Sequence, residues 1–253
     1  MKNGDKISIV KNAADIKDNA GRVSAMLSIE GCEALEGDME NLYALYDEGV
    51  RMATLTWNYR NCVATGVRES DKGGGLTDFG REAVKEMERL GIIVDVSHLS
   101  DEGFYDVERH TSNPFIASHS NCRSICKFPR NLTDDQLKAL AETGGMVGLN
   151  SFNEFVHPDI HKQTVENLVK HLVHMVEIMG IDHVGFGFDF CEYLCGDTLD
   201  SFSSQENPYT IGLEDCSQVP NVIAEMKRVG FNDEEIEKIS HKNWHNLIHK
   251  VMK

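Results

Sequence analysis

The stretch Ile92-Ile93-Val94-Asp95-Val96-Ser97-His98-Leu99-Ser100 decides how this chain is read. Ile92–Val96 is apolar except for Asp95. It is too short for a helix and too uniformly apolar for a strand with one wet face, so it reads as a strand buried on both faces. It ends at Ser97-His98, and Ser100 then caps a helix over Asp101–His110. Upstream, Thr77 caps a helix over Asp78–Leu90, with acid in its first turn and Gly91 as its stop. A buried strand between two capped helices is the repeating unit of a parallel α/β sheet.

The unit recurs in both directions. Val23–Ile29 is an apolar run ending at Glu30-Gly31. Met39–Glu48 is a helix closed by Gly49, and Val50–Thr56 is the next strand. Phe115–Ala117 ends at Ser118-His119, Thr133 caps Asp134–Glu142, and Gly145–Leu149 runs into Asn150. A long amphipathic helix, Val165–Met179, stops at Gly180, and His183–Phe186 leads to Asp189. Two helices follow, over Val219–Val229 and Asp233–Lys250, the second opening with the capping pair Asn232 and Glu235. Six strands are predicted. Gly73-Gly74-Gly75 reads as a mobile or ligand-facing loop. Chemically capable residues lie just past the C-terminal ends of nearly all the strands, where a (β/α)8 TIM-type barrel keeps its active site. An open doubly wound sheet also binds ligands there, but no Gly-rich phosphate loop follows the first strand.

Composition narrows the class. The 253 residues suit one large domain, taken here as a single domain over 1–253. The formal net charge of -16 argues against a nucleic-acid partner, which needs a basic face. No apolar run approaches the roughly 18 residues of a membrane span, and Met1–Asp5 leads into no signal core. The expectation is a cytoplasmic chain with no membrane partner. Seven cysteines fit reduced thiols. Cys122/Cys126 and Cys191/Cys195 have a spacing that metal sites sometimes use, yet nothing nearby completes either pair, and buried thiols are the expectation.

Glu30, His98 and His119 end three separate strands and therefore face one cleft in either architecture. Two imidazoles and a carboxylate form a common zinc ligand set with a position left open. A single strand-end histidine is more often a satisfied structural residue; three ligand types at three strand ends are harder to obtain by chance. Both readings stay open on spacing alone. Asp189 could orient a water or shuttle its proton, and Arg130 could hold a substrate carboxylate bidentately. Taken singly, a loop-capping carboxylate and a surface charge are the simpler readings of these two. Asp95 is either a partner orienting a ligand imidazole or a buried structural hydrogen bond. The histidine sets 241/245/249, 157/161 and 171/174 read as solvated faces.

Several segments resemble the membrane (renal) dipeptidase family of zinc peptidases. They are Gly91–Ser100, then Pro114-Phe115-Ile116-Ala117-Ser118-His119-Ser120, then Arg130-Asn131. Ile29-Glu30-Gly31, Leu55-Thr56-Trp57-Asn58, Gly75-Leu76-Thr77-Asp78-Phe79-Gly80 and His183–Phe190 join them, in order along the chain. The resemblance implies a binuclear zinc hydrolase on a (β/α)8 barrel that cleaves dipeptides through a metal-activated hydroxide, sometimes with D-residues on the C-terminal side. It places the bridging glutamate on Glu30, the two histidines of one metal on His98 and His119, the carboxylate-binding arginine on Arg130, and the active-site aspartate on Asp189.

The chain also departs from that pattern. The family's first strand, ending in His-x-Asp and ligating the other metal, has no counterpart here. The resemblance therefore implies a barrel missing its first two strands, with one Zn2+ site supported by this chain. The gap would be closed by further chain, by a homo-oligomer, or by a remodelled fold. Where some members carry a substrate-contacting histidine this chain has Trp57, which would contact substrate by packing. Two other functions stay in view: a non-catalytic or weakly active derivative, and a mononuclear amidohydrolase acting on another amide.

Overall fold

Thr77, Ser100 and Thr164 each close a helix N-terminus in the computed structural model, which describes residues 4–16, 21–191 and 208–252. Their hydroxyls accept from the backbone N–H of Gly80 at 2.9 Å, Gly103 at 3.1 Å and Asn167 at 3.4 Å. Each bond satisfies a donor that the first helical turn leaves without an intrahelical partner. The helices that follow keep the predicted bounds. The chain divides into two compact units, one of residues 1–117, 142–145 and 245–253, the other of 118–141 and 146–244.

The first unit runs β1 (Ile7–Val10), β2 (Val23–Glu30), α1 (Met39–Glu48), β3 (Val50–Thr54), α2 (Asp78–Leu90), β4 (Ile93–Asp95), α3 (Asp101–His110) and β5 (Ile116–Ala117). The strands lie parallel in sequence order. Their register sets Glu30 opposite Thr54, Thr54 opposite Asp95, and Asp95 opposite Ile116. The C-terminal ends are therefore level, and whatever follows each strand emerges on one rim. Ile93, Val94, Ile116 and Ala117 are fully buried, as are Ala83, Val84 and Met87 on the inner face of α2. Full burial of an aliphatic side chain stabilises by about 1.5–3 kcal/mol. Asp95 is a carboxyl group inside this apolar layer. It is compensated by Thr54 Oγ1, which donates at 2.6 Å, and by the Ser97 N–H, which donates at 2.9 Å.

The second unit holds α4 (Asp134–Glu142), β6 (Met146–Leu149), α5 (Asn153–Val156), α6 (Val165–Met179), β7 (Val184–Phe186), α7 (Val219–Arg228) and α8 (Asp233–Glu237). A last helix, α9, spans Asn243–Val251. Strands β6 and β7 pair in parallel, Val147 opposite Val184 and Leu149 opposite Phe186. Gly148 and Gly187 let backbone approach backbone: a Cβ on either would stand 1.9 Å from the Ser118 carbonyl oxygen. Only glycine permits that approach.

Four expectations change. Seven strands are present among the described residues rather than six, and β1 is the addition. The predicted terminal helix over Asp233–Lys250 is broken by a π-turn at Lys238–Lys242. The Gly73–Gly75 loop is tied to α3: Glu102 accepts from the Gly74 N–H, and Asp106 accepts from the Leu76 N–H at 2.9 Å. His171 is not on a solvated face but fully buried. It lies three residues after Leu168 and four before Met175, on the apolar stripe of α6. Its Nδ1 accepts from the Cys122 N–H at 3.0 Å and its Nε2 donates to the Val156 carbonyl at 2.9 Å. Burial pushes its pKa down to about 4.

Cys122 and Cys126 are buried thiols, hydrogen-bonded to the carbonyls of His171 and Glu154. Burial raises both thiol pKa values, so neither is poised as a nucleophile or metal ligand. Cys195 lies outside the described residues. No helix among the described residues is long and apolar enough to cross a membrane.

Candidate metal centre

Glu30 is the last residue of β2, and its side chain is half exposed at the rim. His98 follows β4 by three residues and is buried. Its Nε2 stands 3.0 Å from Glu30 Oε1. His98 adopts a left-handed backbone, φ 66°, which costs a non-glycine residue on the order of 1–3 kcal/mol and persists only where its surroundings impose it. Here they do: the His98 carbonyl accepts from the Val67 N–H at 2.8 Å and from Thr56 Oγ1 at 3.2 Å. The turn swings the imidazole off the strand direction and onto Glu30. Trp57, the residue expected to pack against substrate, lies with its ring centroid 6.3 Å from that of His98.

His119 comes two residues after the end of β5. Its Nδ1 shares a 2.7 Å hydrogen bond with Ser118 Oγ. One ligand atom from each of Glu30, His98 and His119 lies within 4.8 Å of the others. The donor chemistry fits a divalent metal. Asn58 Oδ1, which can only accept, is 2.9 Å from His98 Nδ1, so Nδ1 bears the hydrogen. Nε2 and Glu30 Oε1, 3.0 Å apart, are the two atoms placed to hold a cation. Both imidazoles thus have Nδ1 engaged by a neighbouring side chain, the usual support for a ligating histidine.

The other expected residues are placed as follows. Arg130 is buried. It donates from one guanidinium nitrogen to Ser120 Oγ at 3.3 Å and from another to the His119 carbonyl at 3.1 Å, and it lies over the Phe155 ring at 5.3 Å. It is a fixed internal cation rather than the surface charge of the simpler reading. Asp189 follows β7, is exposed, and has φ 62°. Its carboxylate accepts from Asn150 Nδ2 at 3.4 Å. Asp189 does not belong to the three-ligand group. Asp95 serves Thr54 and the Ser97 backbone, while the partner of the His98 imidazole is Asn58.

Asn121 was missed altogether, and Asn150 was noticed only as a strand end. The Asn121 amide donates to the Asn150 carbonyl at 2.9 Å, and the Asn150 N–H donates back to Asn121 Oδ1 at 3.1 Å. The Asn150 amide also reaches the His119 carbonyl at 3.4 Å. Both side chains are fully buried. The only sequence signal was an uncharged polar residue at the end of an apolar strand, as at Leu149-Asn150.

Comparison with known proteins agrees with this geometry. A protein encoded in the pqqA 5′ region of Klebsiella pneumoniae is 33% identical over 97% of this chain and 89% of its own length. An uncharacterized dipeptidase of Schizosaccharomyces pombe is 33% identical over 87% of this chain but only 51% of its own. The chain thus spans about half the length of that named dipeptidase. Among solved structures, a metallopeptidase from Rhodobacter sphaeroides, liganded with a phosphinate mimic of the dipeptide L-Ala-D-Ala, superposes with a TM-score of 0.86. It is 32% identical, and the match covers 97% of this chain and 69% of that one. Residues 1–253 match the family described as membrane dipeptidase, peptidase family M19. The chain belongs to that family of metal-dependent, dipeptidase-like hydrolases.

Proposed function

We propose that this chain hydrolyses the peptide bond of dipeptides with one Zn2+ held by Glu30, His98 and His119, on an incomplete (β/α)8-type barrel that forms a single domain. The observation that carries the reading is the convergence of those three ligand atoms within 4.8 Å. A zinc ion held there supplies a Lewis acid and brings the pKa of water down toward ~7.

The chain's own residues do the rest. Arg130, buried and already anchored by its loop, meets the substrate's C-terminal carboxylate with its guanidinium. Asp189 receives the substrate's amine and accepts or returns a proton at its carboxylate, held by Asn150. Trp57 walls the site and excludes water beside His98. L-Ala-D-Ala is the first dipeptide to try, because the ligand of the Rhodobacter sphaeroides relative mimics it.

The test is zinc content by elemental analysis after loading, followed by turnover of a dipeptide panel. The reading expects about one zinc per chain, hydrolysis of at least one dipeptide, and loss of both in His98→Ala. A loaded protein that retains zinc yet turns over nothing would establish the non-catalytic derivative instead. Preference for cyclic or other non-peptide amides would establish the amidohydrolase reading.

A further inference from the structure

The bond between Asn58 and His98 decides which nitrogen of the imidazole can hold a cation. Asn58 is buried, and its Oδ1 sits 2.9 Å from His98 Nδ1 across forty residues of sequence. An amide oxygen has no hydrogen to give, so the imidazole donates from Nδ1. Which ring nitrogen carries the proton is set by the hydrogen bond the other makes. Without that acceptor the Glu30 carboxylate, 3.0 Å from Nε2, draws the ring's hydrogen to that nitrogen.

Asn58 is itself held by its neighbours. The Arg68 N–H donates to the Asn58 carbonyl at 3.0 Å, and one residue earlier the Val67 N–H donates to the His98 carbonyl at 2.8 Å. Gly66 makes this possible, since a Cβ there would stand 2.5 Å from the Asn58 carbonyl carbon. The short segment 66–68 therefore grips the backbone of both residues and fixes their separation.

We infer that Asn58 is the positioning residue of this metal centre: it holds His98 as the Nδ1–H tautomer and presents the Nε2 lone pair, pre-aimed, beside Glu30. The inference rests on the proposed reading of His98 as a metal ligand. Asn58 touches the imidazole, not the substrate, so its removal weakens the metal rather than the substrate.

Two measurements test it. The first needs no metal: long-range 1H–15N correlation spectra of the metal-free protein should show a hydrogen on His98 Nδ1 bonded to its acceptor in the wild type, and the loss of that bond in Asn58→Leu. The second is Zn2+ affinity by competition with a chromophoric chelator. Asn58→Leu should weaken binding 10–100-fold, the range typical for loss of a partner behind a ligating histidine. Asn58→Asp, which keeps an acceptor oxygen, should stay within a few-fold of wild type. Thermal unfolding of each metal-free variant separates this loss from a folding defect, because a general defect lowers the midpoint of both variants while the tautomer of the folded fraction still reports on Asn58.

Wild-type affinity in Asn58→Leu, or no hydrogen on His98 Nδ1 in the wild type, would falsify the inference and leave the metal reading standing. Equal losses in the leucine and aspartate variants would also overturn it, since packing rather than an acceptor would then be at stake. A wild type that does not compete for Zn2+ at all removes the metal reading and this inference with it.

Discussion

The segments that deliver His98 and His119 do the same job by opposite means. His98 stands in a left-handed turn gripped by polar bonds, from Thr56 and Val67 to its carbonyl and from its ring to Asn58. His119 is seated by the absence of side chains: the Ser118 carbonyl occupies the space that Gly148 and Gly187 leave open. The first arrangement stores local strain and restrains it with hydrogen bonds, each worth about 1 kcal/mol. The second has no strain to hold and no slack either. The first should therefore degrade in steps, the second all at once.

Adding one methyl to the glycine seat is the sharpest way to break that contrast. Gly148→Ala places a Cβ 1.9 Å from a backbone oxygen, where no side chain can rotate away. We expect a loss of about 3 kcal/mol or more, read by urea unfolding, together with loss of zinc retention. Wild-type stability in this variant would remove the second arm of the comparison.

Acid should weaken the same region next. His171 accepts from the Cys122 N–H, on the segment that carries His119, and stays neutral in the fold down to about 4. The unfolded chain takes up that proton near 6.5, so between pH 6.5 and about 4 the unfolded state binds more protons. Stability is flat above that window and falls within it as pH drops, by on the order of 3 kcal/mol across the whole range. Urea midpoints at pH 7.5 and 5 should diverge less in His171→Gln than in the wild type. An unchanged pH slope in the variant would rule out this residue as the cause.

Smaller effects test the first arm. Thr56→Val removes one of the donors to the His98 carbonyl but keeps the shape. About 1 kcal/mol of stability should go, with a several-fold weaker zinc affinity, because the Val67 N–H still holds the turn. Thr77→Ala takes the cap from α2, which is remote from both arms. It should cost about 1 kcal/mol in unfolding measurements and leave zinc affinity untouched. If Thr77→Ala lowered zinc affinity as much as Thr56→Val, the effect of the latter would be only general loosening.

What could be read from sequence follows a simple physical division. Helix ends are written locally: Thr77 with Gly80, Ser100 with Gly103 and Gly91 at a left-handed stop lie within a few residues of what they satisfy. Ligand candidates were visible because a strand end is itself a local feature, and Glu30, His98 and His119 each sit at or just past one. Strand β1 is followed by a single 3-10 turn rather than a capped α-helix, so the strand–helix unit that marked the other strands is absent there. The partners of the ligands were out of reach. Asn58 meets His98 forty residues away and Asn121 meets Asn150 across twenty-nine, and no pattern in one dimension announces such pairs. His171 was misread because its neighbour His174 suggested a polar face, although the spacing to Leu168 and Met175 already set it on the buried stripe.

Gly148 and Gly187 also share a constraint, because both yield to one oxygen atom. A first substitution at either position must displace the Ser118 carbonyl, and a second would meet an obstacle already moved. The two alanine variants should therefore be epistatic, the double costing less than the sum of the singles. The first change at this oxygen is therefore the steep one, whichever of the two glycines it falls on.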